Sequence, residues 1–255
     1  EENFLIEHAS GDPSDPGGEV LAVTYTTMTA GANPGDAPVL FEITLEYGGV
    51  KSIEGVGGNQ SDTVIIADGV LAPVTLWGDF KDGTGSSAGD DVLRVNGSNR
   101  AVLYGGDGND TLQGGSGDDV LTGGGGDDTL TGGTGVDRFT VDLGTDVITD
   151  LNGTDVLRVD VGATANATVT APWTADFNTV NKGTANLTTD GSAVNLAAAD
   201  VSGTLGYTVT NLGAGTTLTG SGGNDTLIAG NSGDTLPGGC LLSHSAPADA
   251  TAPTA

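Results

Sequence analysis

The sequence predicts an all-β fold in which the centre of the chain winds as a flattened parallel β-coil, with further β-strand elements on either side. Three observations carry this reading. A nine-residue pattern recurs four times without a change of spacing between Gly105 and Thr140. A single large apolar residue holds the eighth position of each line, and that phase outlasts the glycines. Finally, 45 of the 255 residues are Gly and only 4% are aromatic, too little bulk for a thick core. Burial alone cannot hold such a chain together, so the fold needs a second source of stability.

Taken in order, residues 1–56 form an N-terminal β-element, 57–158 the repeat coil, 159–208 a β-rich connecting segment, 209–239 a degenerate coil and 240–255 a flexible tail. In the first of these, Val20 to Thr29 and Val39 to Tyr47 are rich in β-branched and aromatic residues. They read as two antiparallel strands joined by the turn-rich loop Gly31 to Pro38, with a third strand at Lys51 to Val56. A small element of this kind caps the end of a repeat array that would otherwise expose an open edge.

The first complete line of the coil is Gly105-Gly106-Asp107-Gly108-Asn109-Asp110-Thr111-Leu112-Gln113. The second carries Gly114, Gly115, Gly117, Asp118 and Asp119, and the third Gly123, Gly124, Gly126, Asp127 and Asp128. The fourth keeps Gly132, Gly133, Gly135 and Asp137, with Val136 and Arg138 as atypical fillers. The phase of Asp at position six and an apolar residue at position eight runs on through Asp146/Ile148 and Asp155/Leu157.

Glycine at positions one, two and four permits positive φ and close backbone approach, so the loop can curl until carbonyl oxygens converge. Position six brings a carboxylate to the same place. A hard cation taking six to eight oxygen ligands at about 2.3–2.6 Å matches such a cage. Positions seven to nine, as in Thr111-Leu112-Gln113, make a short strand whose middle residue faces inward.

One such strand buries one side chain and is unstable alone, but stacked strands are not. With successive lines on opposite sides of the coil, Asp110, Asp128 and Asp146 share one stack and Asp119, Asp137 and Asp155 the other. Leu112, Leu121, Leu130, Phe139, Ile148 and Leu157 then fill a thin interior. Two carboxylates about 5 Å apart repel by roughly 3 kcal/mol at an effective dielectric near 20, and Asp107, Asp118 and Asp127 add charge. An ion between adjacent loops reverses the sign of this term, which couples folding of the segment to a divalent cation.

These lines resemble the RTX family, whose nonapeptide G-G-x-G-x-D-x-U-x goes with calcium. The resemblance implies a right-handed parallel β-roll, with Ca²⁺ held between loops by backbone carbonyls and the position-six Asp. It also implies an extracellular bacterial location, commonly reached by type I secretion. Same-side pairing of the in-phase lines suggests about four well-formed sites, with Asp146 and Asp155 contributing from loops that lack the double glycine.

Degenerate lines extend the coil. Gly57 to Ile65 lacks the fourth glycine, and Ser86 to Arg94 keeps Gly89, Asp91 and Leu93 but loses the leading glycines. Between them, the segment containing Trp77, Asp79, Phe80 and Asp82 reads as an insertion or wider turn. Further on, Val209, Leu218, Leu227 and Leu236 again fall nine apart, and Gly220 to Ile228 is a nearly complete copy. There Asp234 faces Thr216 eighteen residues earlier and Asp225 lacks a good partner, so metal binding is at most weak. For Asp62, Asp91 and Asp225 a structural role and a ligand role both stay open. The Thr/Ala/Asn/Val-rich stretch from Asp160 to Thr208 reads as more β-structure, with Trp173, Phe177 and Tyr207 supplying local packing.

The charge balance sets the partners. With 34 Asp+Glu against 7 Lys+Arg the net charge is -27, which disfavours nucleic acid and favours cations. No apolar run approaches the roughly 18 residues of a membrane span. The chain starts Glu-Glu-Asn without an initiator Met, as a processed product or fragment does. Cys240 cannot form an internal disulfide and has no nearby base. His8 and His244 stand outside any zinc motif, Glu42 and Glu46 read as solvated charges on a strand, and no Gly-x-Ser-x-Gly elbow has a histidine to match. The Asn-x-Ser/Thr triplets at Asn96, Asn166 and Asn186 are incidental to a Thr-rich chain.

Catalysis is therefore not expected. The expected role is a calcium-binding structural protein of the bacterial surface or extracellular matrix, an S-layer, filament or adhesin component whose strand edges pair between copies. The alternative is the non-catalytic RTX module of a type I-secreted protease or lipase. A fragment of an RTX toxin would need an amphipathic or acylated pore-forming region, and none is present.

Overall fold

The computed structural model describes residues 2–10, 20–27, 40–46, 49–58, 61–79, 89–200, 205–230, 233–237 and 241–242. The loop Gly31 to Pro38, Phe80 and Asp82, the start of the line Ser86 to Arg94, Ser232, Cys240, His244 and the rest of the tail past Leu242 lie outside these residues, as do the side chains of His8, Glu42 and Glu46. Among the described residues there are strands and turns but no helix, and the chain forms a parallel β-solenoid. No helix is long and apolar enough to cross a membrane among them. The chain divides into two compact units, Glu1–Asp137 and Arg138–Ala255.

In the first unit successive coil strands alternate between two sheets, as the nonapeptide reading requires. One sheet runs Asp62–Ile66, Val92–Val95, Thr111–Gly115, Thr129–Gly133, and the other Gly49–Val56, Val74–Trp77, Ala101–Asp107, Val120–Gly125, all joined in parallel. Leu112 lies beside Leu130, and Leu121 beside Leu103, so rungs two lines apart stack directly. Leu93, Leu103, Leu112, Leu121 and Leu130 are fully buried. Each stabilises the coil by about 1.5–3 kcal/mol.

Two features depart from the sequence reading. Val20–Thr27 does not pair with Leu40–Glu46. It pairs antiparallel with Glu2–Ser10, while Leu40–Glu46 pairs with Gly49–Val56. Only two residues separate that second pair, the connection length that hairpins favour, whereas twelve separate Val20–Thr27 from Leu40–Glu46. Glu2–Ser10, not anticipated as a strand, then joins the coil parallel to Asp62–Ile66. The second departure concerns Trp77. It belongs to a regular rung, with its ring stacked on Tyr104 at 5.6 Å between centroids.

The second unit uses the same rung with longer turns. Thr145–Gly153, Thr164–Thr174, Thr184–Thr189, Leu205–Asn211 and Asn224–Ile228 pair in parallel succession, and Arg138–Val141, Val156–Val159 and Val180–Asn181 form a second series. Thus the stretch read as connecting β-structure is itself coil. Phe139, Ile148, Leu157, Val209, Leu218 and Leu227 are fully buried, as their phase requires. Trp173 and Tyr207 are buried too, with Trp173 Nε1 donating to the carbonyl of Asp155 at 2.9 Å. Phe177 instead is 76% exposed, which corrects its assignment to local packing.

Candidate metal centre

Each position-six aspartate of the first unit ends a glycine loop and starts a rung. That placement buries its carboxylate at the corner of the coil: Asp62, Asp91, Asp110, Asp119, Asp128 and Asp137 are all at most 4% exposed. The corners are linked along the coil axis. Asp62 N–H donates to Asp91 Oδ1 at 2.7 Å, Asp91 N–H to Asp110 Oδ1 at 2.7 Å and Asp110 N–H to Asp128 Oδ1 at 2.8 Å. On the opposite edge Ala101 N–H donates to Asp119 Oδ1 at 2.7 Å and Asp119 N–H to Asp137 Oδ1 at 2.9 Å. The carboxylates of Asp91, Asp110, Asp119, Asp128 and Asp137 thus reach back one turn, each satisfying a backbone donor with a single oxygen.

The second oxygen is the important one. Oδ2 of Asp91, Asp110 and Asp119 is buried with no hydrogen-bond donor. An acceptor withdrawn from water in this way costs about 1–3 kcal/mol. Burial is accordingly the largest influence on these groups, and neighbouring carboxylates add to it against the opposing backbone hydrogen bond. Asp91 is pushed up to about 8, with Asp110, Asp62 and Asp79 as the neighbours. Asp110 rises to about 7, beside Asp128, Asp79 and Asp90. Asp119 rises to about 6, with Asp118 raising it and Arg100 opposing.

Backbone oxygens stand beside these orphaned atoms. A Cβ placed on Gly105 would overlap both Asp110 Oδ2 and the carbonyl oxygen of Gly123. One placed on Gly78 would overlap Asp91 Oδ2 and the carbonyl of Gly105. The position-one glycines Gly114, Gly123 and Gly132 meet the carboxylates of Asp119, Asp128 and Asp137 in the same way. Position one is therefore glycine because oxygens crowd it, not because of its φ. Position two answers to the other reason: Gly124, at φ +111°, sits in the left-handed region, and so do Gly106, Gly115 and Gly133. At position four, Gly108, Gly126 and Gly135 are left-handed as well, and a Cβ on Gly117 would meet the carbonyl of Asn99 at 2.5 Å.

Asp107, Asn109, Asp118 and Asp127 sit apart from the buried corners, exposed on the outside of the loops. There the side chains of Asp90, Asn109 and Asp118 accept in a second ladder. Asn109 N–H donates to Asp90 Oδ1 at 2.8 Å, Asp127 N–H to Asn109 Oδ1 at 2.9 Å and Val136 N–H to Asp118 Oδ1 at 2.8 Å. These side chains take a donor from the following turn, opposite in direction to the position-six ladder. The sequence reading missed this role for position five, although Asp or Asn recurs there at Asp90, Asn109, Asp118 and Asp127. It also missed Asp79, whose Oδ2 accepts from Asp107 N–H at 2.7 Å and whose carboxyl is raised by burial. Gly78-Asp79 stands three nonapeptides before Gly105-Gly106, a signal hidden by the lost glycine.

Asp146 and Asp155 lie in the second unit, both fully buried. Asp155 Oδ2 accepts from Asn152 N–H at 2.8 Å within its own turn. Asp225 is likewise served locally: Ser221 N–H and Ser221 Oγ donate to its Oδ2 at 2.6 and 2.9 Å, while Tyr207 N–H donates to its Oδ1 at 2.8 Å. Asp234 does face Thr216, whose N–H donates to its Oδ1 at 2.8 Å.

No group of three or more His, Cys, Asp or Glu side chains close enough to hold a metal occurs among the described residues. A cation at the first unit's corners would thus depend on the mixed set that is present, one carboxylate oxygen together with carbonyl oxygens. Ca²⁺ takes such hard ligands, and the donorless Oδ2 atoms fit it.

The family model of the RTX calcium-binding nonapeptide repeat matches the chain, in 4 copies, at residues 104–139 and 213–239. Comparison with curated proteins and with solved structures finds no match. The two matched segments, one in the buried-carboxylate corners and one in the downstream coil, are RTX calcium-binding nonapeptide repeats carried on a β-solenoid.

Proposed function

We propose that the chain is a calcium-binding structural protein of the bacterial cell surface or extracellular matrix, whose first unit folds on meeting external Ca²⁺. The observation that supports this best is the set of donorless, buried Oδ2 atoms of Asp91, Asp110 and Asp119. The ligands are the position-six carboxylates of Asp110, Asp119, Asp128 and Asp137 with the backbone carbonyls of the glycine loops. Asp90, Asn109 and Asp118 shape those loops through the outer ladder, and Asp79 does so through Asp107 N–H. Binding neutralises charge that the thin core cannot offset, so the ion supplies the stability missing from the composition.

Extracellular calcium modules bind at about 10⁻⁴–10⁻³ M. Low intracellular calcium then leaves the first unit unfolded for export, and the outside concentration folds it. Edge strands such as Val20–Thr27 offer unpaired backbone through which copies can associate. Circular dichroism during a calcium titration tests the reading. The β-signal should grow with added calcium at pH 8 and fall on chelation. A complete β-signal in chelator at that pH would sink the proposal.

A further inference from the structure

We propose that the outer face of the sheet formed by Arg138–Val141, Val156–Val159 and Val180–Asn181 is a binding groove for a neutral polysaccharide chain. The groove measures about 510 Å³ and is lined by Arg138, Asp142, Arg158, Asp160, Phe177 and Asn178, all within the second unit. It goes beyond the calcium reading and uses none of its ligands.

Two anomalies meet here. The chain has seven basic residues, and two of them, Arg138 and Arg158, project from neighbouring rungs into one groove. Beside them Phe177 is 76% exposed, whereas Trp173 and Tyr207 in the same unit are buried to 1%. The groove thus sets an accessible aromatic face beside two guanidinium groups.

Two of the polar groups are already held in place. Arg158 donates through Nε and Nη2 to Asp160 Oδ1 at 3.1 and 3.0 Å. Asn178 donates through its backbone N–H and Nδ2 to the two oxygens of Asp176 at 2.8 and 2.7 Å. Asp142 Oδ1, by contrast, is buried and accepts no hydrogen bond. The groove therefore offers guanidinium donors, carboxylate acceptors and an aromatic face, with Arg158 and Asn178 held before any ligand arrives.

Sugar hydroxyls both donate and accept, and the C–H face of a pyranose lies well on an aromatic ring. A glycan hydroxyl can donate to Asp160, whose side chain is 35% exposed, while its neighbour accepts from Arg138, and Phe177 carries the ring. Polyanions suit the groove poorly, because Asp142 and Asp160 offset both arginines on a chain of net charge -27. Preorganised side chains reduce the ordering cost of binding.

Affinity electrophoresis of the calcium-loaded full chain tests this, in native gels containing dextran, mannan, β-glucan, galactan or polygalacturonate. Retardation is expected in at least one neutral gel. Phe177→Ala and Arg138→Ala should each weaken it about tenfold or more, as loss of a dominant contact does. Leu205→Ala, at a side chain 44% exposed on the other strand series, should leave it unchanged. Circular dichroism of each variant should match the parent, which separates this question from calcium-driven folding. No retardation in any neutral gel, retardation in polygalacturonate alone, or Phe177→Ala behaving as the parent would overturn the proposal.

Discussion

The corners of the two units solve one problem with different chemistry. Both place a polar side chain where a loop turns into a rung, and both use it to accept a backbone N–H one turn away. In the first unit the side chain is aspartate, and its second oxygen at Asp91, Asp110 and Asp119 has no donor. In the second unit the carboxylates of Asp155 and Asp225 receive donors from Asn152 and Ser221 of their own turns. At Asn181 and Asn211 there the corner residue is neutral, whereas Asp146 and Asp234 keep a carboxylate. Asn211 is fully buried, accepts from Gly191 N–H and Gly213 N–H at 2.9 and 3.0 Å, and donates to the Ala214 carbonyl at 2.9 Å. Asn181 donates to the carbonyl of Gly206 at 2.5 Å and accepts from Gly183 N–H at 3.1 Å.

The difference teaches where metal dependence comes from. A neutral amide closes its own hydrogen bonds and asks for nothing further. A carboxylate with one oxygen unserved carries both a desolvation cost and mutual repulsion, and a cation removes both. Asp234 stands between the two types, with Oδ1 shared by Asn211 Nδ2 and Thr216 N–H while Oδ2 has no donor.

The largest expected effect that would break this contrast is chelation. Hydrogen exchange followed by mass spectrometry should show the amides of residues 104–137 losing protection when calcium is removed at pH 8, while those of 184–211 keep theirs. Equal loss in both units would show that the corners do not differ as described.

Next in size is a paired substitution. Asp110→Asn should weaken calcium binding about tenfold or more while stabilising the metal-free chain at pH 8 by roughly 1–3 kcal/mol, since it removes a buried charge. Asp225→Asn should leave calcium affinity unchanged within error. Calorimetric titration and chelated thermal melts measure the two effects.

The pH dependence sharpens the same point, and its sign follows from the raised carboxyls. Burial lifts Asp91 to about 8, Asp110 to about 7 and Asp119 to about 6, so the metal-free native state keeps protons that the unfolded chain has released near 4. Stability in chelator is therefore fully present below about pH 4 and is lost as pH rises toward about 8. Calcium needs the ionised form, so its affinity rises over the same range. Melting temperatures at pH 5, 6.5 and 8 should fall in chelator and rise in calcium.

The smallest effect tests the second unit alone. Ser221→Ala removes the hydroxyl donor at 2.8 and 2.9 Å from Asp225 and should cost about 1 kcal/mol in denaturant unfolding. No change in the midpoint would mean that water replaces the serine.

Much of the coil was legible because its period is strict. The inward phase from Leu112 to Leu157 and again from Val209 to Leu227 could be read by counting, and all these positions are buried. Same-side stacking at eighteen residues was equally readable, and the Asp110–Asp128 and Asp119–Asp137 bonds follow it. Where the period lengthens, as from Asn186 to Thr208, the repeat cannot be counted and the rungs were hidden. The N-terminal pairing was misread because strand propensity does not name a partner. Phe177 reads as local packing for a similar reason, since an aromatic residue in a β-rich stretch does not announce which way it faces.

By itself the sequence determined the repeat length, the inward residues and the acidic corners, because each depends only on spacing along the chain and on residue chemistry. Tertiary structure alone decided which carboxylate oxygens meet a donor and which do not. That distinction depends on which backbone amide a neighbouring turn delivers within hydrogen-bond reach. One donor within reach of Oδ2, invisible in the residue pattern, separates a self-contained corner from one that calls for an ion.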